Sequence, residues 1–218
     1  GVLWFLGLSA LTWHQAQIWK DTESLWTHAL DRDQDCSACH NNVGALLVNA
    51  GHIEPALRHL HRALALRPEN VRPHRNVGLA LIRDGRPAEA LEHIERVLVK
   101  YPDDADTLTV LGVAFMADGQ PERAREAWRR AVVVEPGHVL ARTNLAGVLT
   151  ARGRTSDAVR EYQKTIDLRP DAAPPRFGLA RTYLFQGNMA AAREQYEVLK
   201  RLDPGLARYF SPAFITDW

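Results

Sequence analysis

The chain has 218 residues, with 27 Lys and Arg against 26 Asp and Glu and a formal net charge of +1. This nearly neutral balance argues against a protein that binds nucleic acid through a clustered basic excess. Length alone suggests one or two globular domains, but the internal repeats described below replace that estimate.

Residues 1–19 begin with thirteen residues that carry no charge, GVLWFLGLSALTW, and the first Lys and Asp are Lys20 and Asp21. This run is shorter than the roughly 20 apolar residues of a membrane-spanning helix. It also lacks the basic start and the cleavage site of a signal peptide. We therefore expect a chain that begins inside a longer polypeptide, at the last turns of a membrane helix, with Trp4, Trp13 and Trp19 at the interface. The alternative is a buried first helix of the fold.

Residues 20–36 read as a degenerate half-repeat that caps the repeats after it. The pattern predicts a helix that carries Trp26 and Ala29. Three aspartates then alternate as at the start of a calcium loop, at positions 31, 33 and 35. Such a loop requires a glycine and a glutamate where this chain has Cys36 and Asn42. We therefore expect a solvated turn here.

The only two cysteines lie in the string Cys36-Ser37-Ala38-Cys39-His40. This is the spacing of covalent c-type haem attachment. His40 also falls at a position that packs between paired helices, which favours packed or free thiols. A redox pair or disulfide, and a haem held by Cys36, Cys39 and His40, remain open as alternatives.

From residue 37 to residue 206 the sequence repeats every 34 residues. The units are 37–70, 71–104, 105–138, 139–172 and 173–206, and residues 207–218 form an aromatic tail with Tyr209, Phe210, Phe214, Ile215 and Trp218. Three columns hold throughout: Pro68, Pro102, Pro136, Pro170, Pro204; Gly51, Gly85, Gly119, Gly153, Gly187; and Ala56, Ala90, Ala124, Ala158, Ala192. A period of this length predicts stacked helix–turn–helix units.

Within each unit, residues at repeat positions 7, 8 and 11 share one face of a first helix. The glycine at position 15 suits the left-handed turn that ends this helix. Alanine at position 20 and a large residue at position 24 lie on the second helix, and the proline at position 32 ends it. The large residues at position 24 are Leu60, Ile94, Trp128, Tyr162 and Tyr196.

These residues resemble the tetratricopeptide repeat (TPR) family over 37–206. The departures are mild, chiefly at position 4, where the usual aromatic is replaced by His40, His74, Leu108, Arg142 and Arg176. The resemblance implies an all-α, right-handed solenoid of five antiparallel helix pairs, with the first helices lining a concave face.

Four histidines lie close in sequence: His52, His59, His61 and His93. His59 and His93 share position 23, and we expect them to stack in a surface column. No zinc-protease spacing, nucleophile elbow or phosphate-binding loop is present in the sequence. We therefore expect a non-catalytic segment without metal or cofactor.

Position 6 carries Asn42, Asn76, Val110, Asn144 and Gly178. An amide side chain offers a donor and an acceptor to a peptide backbone. The strings HNNVG, HRNVG and RTNLA resemble the asparagine ladder of the O-GlcNAc transferase TPR superhelix, which implies that the three asparagines contact a bound peptide. Asn41, Arg72, Arg75, Arg83, Met116 and Arg181 are further inward-facing candidates, and the arginines could pair with carboxylates. The alternative is that the asparagines are inherited with the repeat and bind nothing.

The string LTWHQAQIWKDTESLW running into HNNVG resembles the junction in multipass membrane proteins that end in TPR arrays, such as the transmembrane-and-TPR O-mannosyltransferase-like proteins. That resemblance implies an extracytoplasmic TPR array. We expect a membrane-tethered interaction scaffold that binds a peptide or protein partner and no nucleic acid. The alternatives are the substrate-presenting region of a membrane glycosyltransferase and a c-type haem protein.

Overall fold

The computed structural model describes residues 22–210, with side chains from residue 25 onward. Within this range the chain forms twelve α-helices and no strand. They are α1 (Thr22–Arg32), α2 (Ser37–Ala50), α3 (Ile53–Leu66), α4 (Val71–Arg83), α5 (Pro87–Lys100), α6 (Ala105–Ala117), α7 (Pro121–Val134), α8 (Val139–Ala151), α9 (Thr155–Leu168), α10 (Ala173–Phe185), α11 (Met189–Leu202) and α12 (Pro204–Ala207). The predicted all-α fold of consecutive helix pairs is confirmed.

The chain divides after Pro102 into two compact units. Unit 1 contains α1 to α5, and unit 2 contains α6 to α12. In unit 1, α1 packs against α2, the first helix of the first full pair. The apolar leader 1–19 lies outside the described residues, as do Phe214, Ile215 and Trp218. None of the helices between residues 22 and 210 has the length and apolar character needed to cross a membrane.

Each helix pair turns on its repeat glycine. Gly51 has φ 84°, and the backbone N–H groups of Gly51 and His52 donate to the carbonyls of Val48 and Leu47 at 3.1 and 2.9 Å. These bonds satisfy the last carbonyl groups of α2, as in a Schellman ending. The four equivalent glycines also have positive φ, between 72° and 76°. The period of glycines in the sequence is therefore a period of left-handed turns.

Small residues allow the two helices of a pair to approach closely. The five alanines at position 20 are fully buried, with no exposed surface. A Cβ added at Gly44 would lie 2.6 Å from the Leu60 side chain. In the third pair the Trp128 ring occupies the equivalent space beside Gly112, and its Nε1–H donates to the Thr109 carbonyl at 3.0 Å. In these pairs the side chain at position 24 therefore fills the space that a Cβ at position 8 would need.

Four of the first helices begin at a side-chain cap, which the repeat pattern did not single out. Asn70, Asp104 and His138 precede α4, α6 and α8, and each accepts a backbone N–H of the first turn. Cys36 holds the same place before α2, where its Sγ accepts the Cys39 N–H at 3.1 Å. At an Asn or Asp cap, satisfying such an otherwise unpaired donor is worth about 1 kcal/mol.

The described part of the aromatic tail folds back over the last pair. Phe210 is buried and lies with its ring 5.1 Å from that of Phe177 and 5.5 Å from that of Tyr196, both in edge-on geometry. Tyr209 is 80% exposed. The tail therefore completes the end of unit 2 with one aromatic ring and leaves the other at the surface.

Candidate functional site

Unit 1 brings three of the predicted asparagines together on the face formed by the first helices α2 and α4. Asn76 Nδ2 donates to Asn41 Oδ1 at 2.8 Å, and Asn41 Nδ2 donates to Asn42 Oδ1 at 3.1 Å. Asn41 is 6% exposed, whereas Asn42 and Asn76 are half-buried. We call these three residues the asparagine patch.

The direction of these bonds leaves complementary groups at the two ends of the asparagine patch. Asn42 keeps its Nδ2 donor and Asn76 keeps its Oδ1 acceptor without a hydrogen-bond partner among the described residues. A peptide unit presents one N–H and one C=O. The patch can therefore hydrogen-bond a peptide backbone with both kinds of group.

The arginines predicted on this face differ in availability. Arg83 donates to the Val48 carbonyl and so ties the end of α4 to α2. Arg75 is half-buried and takes part in an interaction within the protein. Arg72 is exposed on the first turn of α4. Arg72 and Arg83 are both exposed, but the Arg83 guanidinium already has a backbone partner.

Unit 2 has a groove of about 430 Å³ on its first helices, and three predicted residues, Met116, Asn144 and Arg181, line it together. Its walls are otherwise largely apolar: Trp128, Thr143, Gly147, Val148, Ala151, Tyr162, Pro174, Phe177, Gly178 and Leu206. The guanidinium carbon of Arg181 lies 5.6 Å from the centre of the Phe177 ring, close enough for a cation–π interaction. The groove thus combines an apolar floor with one amide and one cation.

Tyr162 explains why the asparagine column is interrupted at Gly178. A Cβ added at Gly178 would lie well under 3.0 Å from the phenol ring and hydroxyl of Tyr162. Only glycine fits there, because the phenol reaches from α9 beneath α10. Burial raises the pKa of Tyr162 to about 12, against the smaller opposing effects of Thr150 and Arg181, so the hydroxyl is neutral at physiological pH.

The residues at position 4, predicted as mild departures, form a recurring bridge. Arg142 pairs with Glu161 of the next helix and donates to the Pro136 carbonyl at 2.6 Å. Arg176 repeats the arrangement with Gln195 at 3.2 Å and with the Pro170 carbonyl. The bridge joins both helices of a pair to the end of the preceding helix. In the third pair Leu108 is buried at the same position.

Histidine pairs form the bridge in unit 1. His40 Nδ1 lies 3.0 Å from His59 Nδ1, and His74 Nδ1 lies 3.2 Å from His93 Nδ1. His40 Nε2 faces the Gln34 carbonyl at 3.1 Å and must carry the hydrogen, so its Nδ1 accepts from His59. The expected stack of His59 on His93 is therefore wrong, because each ring turns inward to the histidine at position 4 of its own pair.

Burial, followed by the charges of His40 and Arg58, lowers the pKa of His59. Burial also lowers the pKa of His93, and the charges of His74, His61 and Arg96 act in the same direction. Burial thus favours the neutral form of His59 and of His93.

The expectation of free thiols is also wrong: Cys36 and Cys39 form a disulfide, with 5.3 Å between their Cα atoms. The bond joins residues only three apart in sequence. Chain entropy assigns so short a loop about 2 kcal/mol. A haem on Cys36, Cys39 and His40 would require this disulfide to open and His40 to give up a hydrogen bond, and that alternative stays a prediction from the motif.

Of the three aspartates, Asp31 lies in the last turn of α1, and Asp33 and Asp35 lie in the exposed turn that follows. Asp33 Oδ1 accepts the Asp35 N–H at 3.0 Å, and Asp35 pairs with Arg62 at 2.6 Å. Over the residues that the structure describes, no three His, Cys, Asp or Glu side chains are grouped to hold a metal ion.

The comparisons with known proteins agree with this architecture. A family model described as tetratricopeptide repeat matches residues 44–105 and 109–173, and a second model of the same description matches residues 149–211. No curated protein matches the chain.

Three similar solved structures show the extent of the likeness. PilW, a type IV pilus biogenesis factor, has a TM-score of 0.72 and 20% identity and covers 96% of this chain and 95% of its own. A thermophilic TPR protein from Thermus thermophilus has a TM-score of 0.71 and 22% identity over 78% of this chain and 93% of its own. YrrB has a TM-score of 0.55 and 22% identity over 84% and 96%. At these identities the likeness supports the fold alone.

Proposed function

We propose that this chain, which belongs to the tetratricopeptide repeat family, is a protein-interaction module that binds an extended segment of a partner protein on its first helices. The observation that carries the proposal is the unit 2 groove, where Asn144 and Arg181 meet over an apolar floor. YrrB, described as a TPR protein with an unusual peptide-binding site, supports a peptide as the class of ligand.

The chemistry of the groove favours a peptide that carries an apolar side chain and a carboxylate. Met116, which is 42% exposed, and Phe177 offer surface for the apolar side chain. Arg181 offers a guanidinium that can bind a carboxylate with two parallel hydrogen bonds. Asn144 offers an amide to the peptide backbone. The asparagine patch of unit 1 is a separate place at which a peptide backbone can be hydrogen-bonded.

The test begins with peptides selected on the full chain from a random displayed library, followed by calorimetric titration of the selected peptides. Arg181→Ala should weaken binding about 10- to 100-fold, because a charged hydrogen bond contributes about 1.5–3 kcal/mol. Arg181→Lys should recover part of this loss, because it keeps the charge without the planar fork. Asn144→Ala should weaken binding about 3- to 10-fold.

The matched control is Arg201→Ala, which removes an exposed arginine from α11 outside the groove lining. Asn76→Ala is a poorer test, because it also removes the partner of the buried Asn41. If Arg181→Ala and Asn144→Ala bind the selected peptides as tightly as Arg201→Ala does, the proposed groove is wrong.

We also propose that the module works outside the cytoplasm and is tethered to a membrane through residues 1–19. The Cys36–Cys39 disulfide supports the compartment, because disulfides persist mainly in oxidising surroundings. The apolar composition of residues 1–13 supports the tether. Membrane fractionation with an impermeant protease tests both: a module that is digested in intact cells and that sediments with membranes agrees with the proposal, and a protected, freely soluble one contradicts it.

A further inference from the structure

The disulfide of unit 1 lies at the beginning of a helix and joins a half-buried cysteine to a buried one. Cys36 is the N-cap residue of α2 and is half-buried, whereas Cys39 lies in the first turn and is 5% exposed. The residues before Cys36, from 31 to 35, are all exposed. A thiolate arriving from solvent therefore reaches Cys36 Sγ, while Cys39 is shielded by the helix pair.

The fold does not need this bond to hold the junction. The turn that contains both cysteines is already held by a helical hydrogen bond, in which the His40 N–H donates to the Cys36 carbonyl at 3.1 Å. Ser37 Oγ donates to the Ala63 carbonyl at 3.0 Å, and Arg62 pairs with Asp35 across the same junction. The bond joins residues three apart in one turn, and its chain-entropy contribution of about 2 kcal/mol is near the low end for disulfides.

The same location stabilises the reduced state. The Cys39 N–H donates to Cys36 Sγ at 3.1 Å, and a thiolate accepts such a bond more strongly than a disulfide sulfur does. The positive end of the α2 dipole acts on the same atom and favours a thiolate at a helix N-terminus. The nearest carboxylate in sequence, Asp35, is paired with Arg62. Cys36 is thus suited to form a thiolate, to attack a disulfide and to act as the leaving group of a mixed disulfide.

We propose that Cys36 and Cys39 form a thiol–disulfide exchange site that takes a dithiol or a disulfide of another protein as its substrate. A partner thiolate attacks Cys36 Sγ, the Cys36–Cys39 bond breaks, and Cys39 leaves as a thiolate that takes up a proton. The second partner thiol then attacks its own sulfur in the mixed disulfide and releases Cys36. Two electrons pass from the partner dithiol to the cysteine pair, and the partner leaves as a disulfide.

This site is distinct from the proposed peptide groove in unit 2, and its test is independent of peptide binding. The full chain is equilibrated in glutathione redox buffers, quenched with acid and labelled with a maleimide of high mass, while circular dichroism reports folding. We expect reversible reduction of a chain that stays folded. Reduction that occurs only when the chain unfolds would overturn the proposal.

Two single variants test the assigned roles of the sulfurs, with oxidised glutathione as the probe. Cys39→Ser leaves Cys36 alone at the N-cap, and Cys36→Ser leaves Cys39 alone in the interior while keeping a residue that caps helices well. The Cys36 thiol should form the mixed disulfide at least about tenfold faster than the Cys39 thiol. Equal rates in two folded variants would refute the assignment.

A third variant separates redox chemistry from a structural role. With Cys36→Ser and Cys39→Ala combined, the thermal transition should stay within a few degrees of that of the oxidised chain. A large fall in the transition would assign the bond a structural role and overturn the proposal.

Discussion

Gly178 and Gly147 offer a matched pair of tests for how the unit 2 groove is built. Both lie inside helices, in α10 and α8, and both approach the side chain of Tyr162. A Cβ at Gly178 would lie well under 3.0 Å from the Tyr162 hydroxyl and ring, whereas a Cβ at Gly147 would lie 3.6 Å from the hydroxyl. The same substitution to alanine should therefore have opposite effects at the two positions.

The magnitude follows from two effects. Alanine in place of glycine stabilises a helix interior by about 1 kcal/mol. At Gly147 nothing opposes this gain, because 3.6 Å is ordinary van der Waals contact. At Gly178 the ring, 4% exposed and closely surrounded, has to move, and overpacking of this kind costs about 1–3 kcal/mol. With the severe overlap at the top of that range, we expect Gly178→Ala to be about 2 kcal/mol less stable than wild type and Gly147→Ala about 1 kcal/mol more stable.

Urea unfolding of the full chain, followed by circular dichroism, measures both free energies. A third variant, Tyr162→Leu, completes the test, because removal of the phenol should make Gly178→Ala much less damaging in that background. Such a dependence is the coupling expected of residues in contact. If Gly178→Ala is as stable as Gly147→Ala, the explanation of the missing asparagine at this position is refuted.

Two further predictions concern the turns and the histidine pairs. Gly119→Ala should destabilise the chain by about 1 kcal/mol in urea unfolding, because the φ of Gly119 is 73°. Gly137→Ala should not destabilise it, because Gly137 has neither a positive φ nor a neighbour within 4 Å of an added Cβ. Equal effects of the two substitutions would contradict this explanation. His59 has a pKa lowered below its ordinary value, so the folded chain binds fewer protons than the unfolded chain and loses stability as the pH falls through the ordinary pKa toward that of the folded state. The loss between about pH 7 and pH 5 should be smaller in His59→Gln than in wild type, and equal losses would exclude the pair as the cause.

The sequence predicted the features that follow from backbone geometry. Left-handed turns require glycine, helix ends favour proline, and close helix approach requires alanine, so these residues recur at every unit whatever else changes. The observed turns at Gly51 and Gly119 and the fully buried alanines at position 20 agree with that reading. Such residues locate the helices, but they are shared by all units and carry no information about a ligand.

The bridges between positions 4 and 23 were missed, because they depend on side-chain pairing that the period does not describe. A signal was nonetheless present. His40 with His59, Arg142 with Glu161 and Arg176 with Gln195 are each 19 residues apart and chemically matched. Position 4 by itself varies between units. Its residue is nevertheless chemically matched to the residue at position 23 of the same unit, which indicates a contact between the two side chains.

The sequence did not predict that the disulfide forms or that the groove exists, for different reasons. Whether two cysteines at this spacing bond depends on the rotation of Cys36 at the N-cap, which spacing alone does not determine. Likewise, Gly178 interrupts the asparagine column in the sequence, and the repeat pattern does not show which side chain fills its place. In the structure the same glycine admits the Tyr162 ring and lines the groove beside Asn144 and Arg181.

Residues that determine ligand specificity are therefore expected at places that helix packing does not constrain. Positions 7, 8, 20 and 24 are used by helix packing, and position 4 is tied to its bridge. Three groove residues of unit 2 are freer: Arg181 is exposed, Met116 is 42% exposed, and Asn144 is half-buried. Substitutions there can alter what is bound at little cost in stability, because few packing contacts depend on them. A change of ligand without a change of fold is thus expected from these positions and not from the repeated columns.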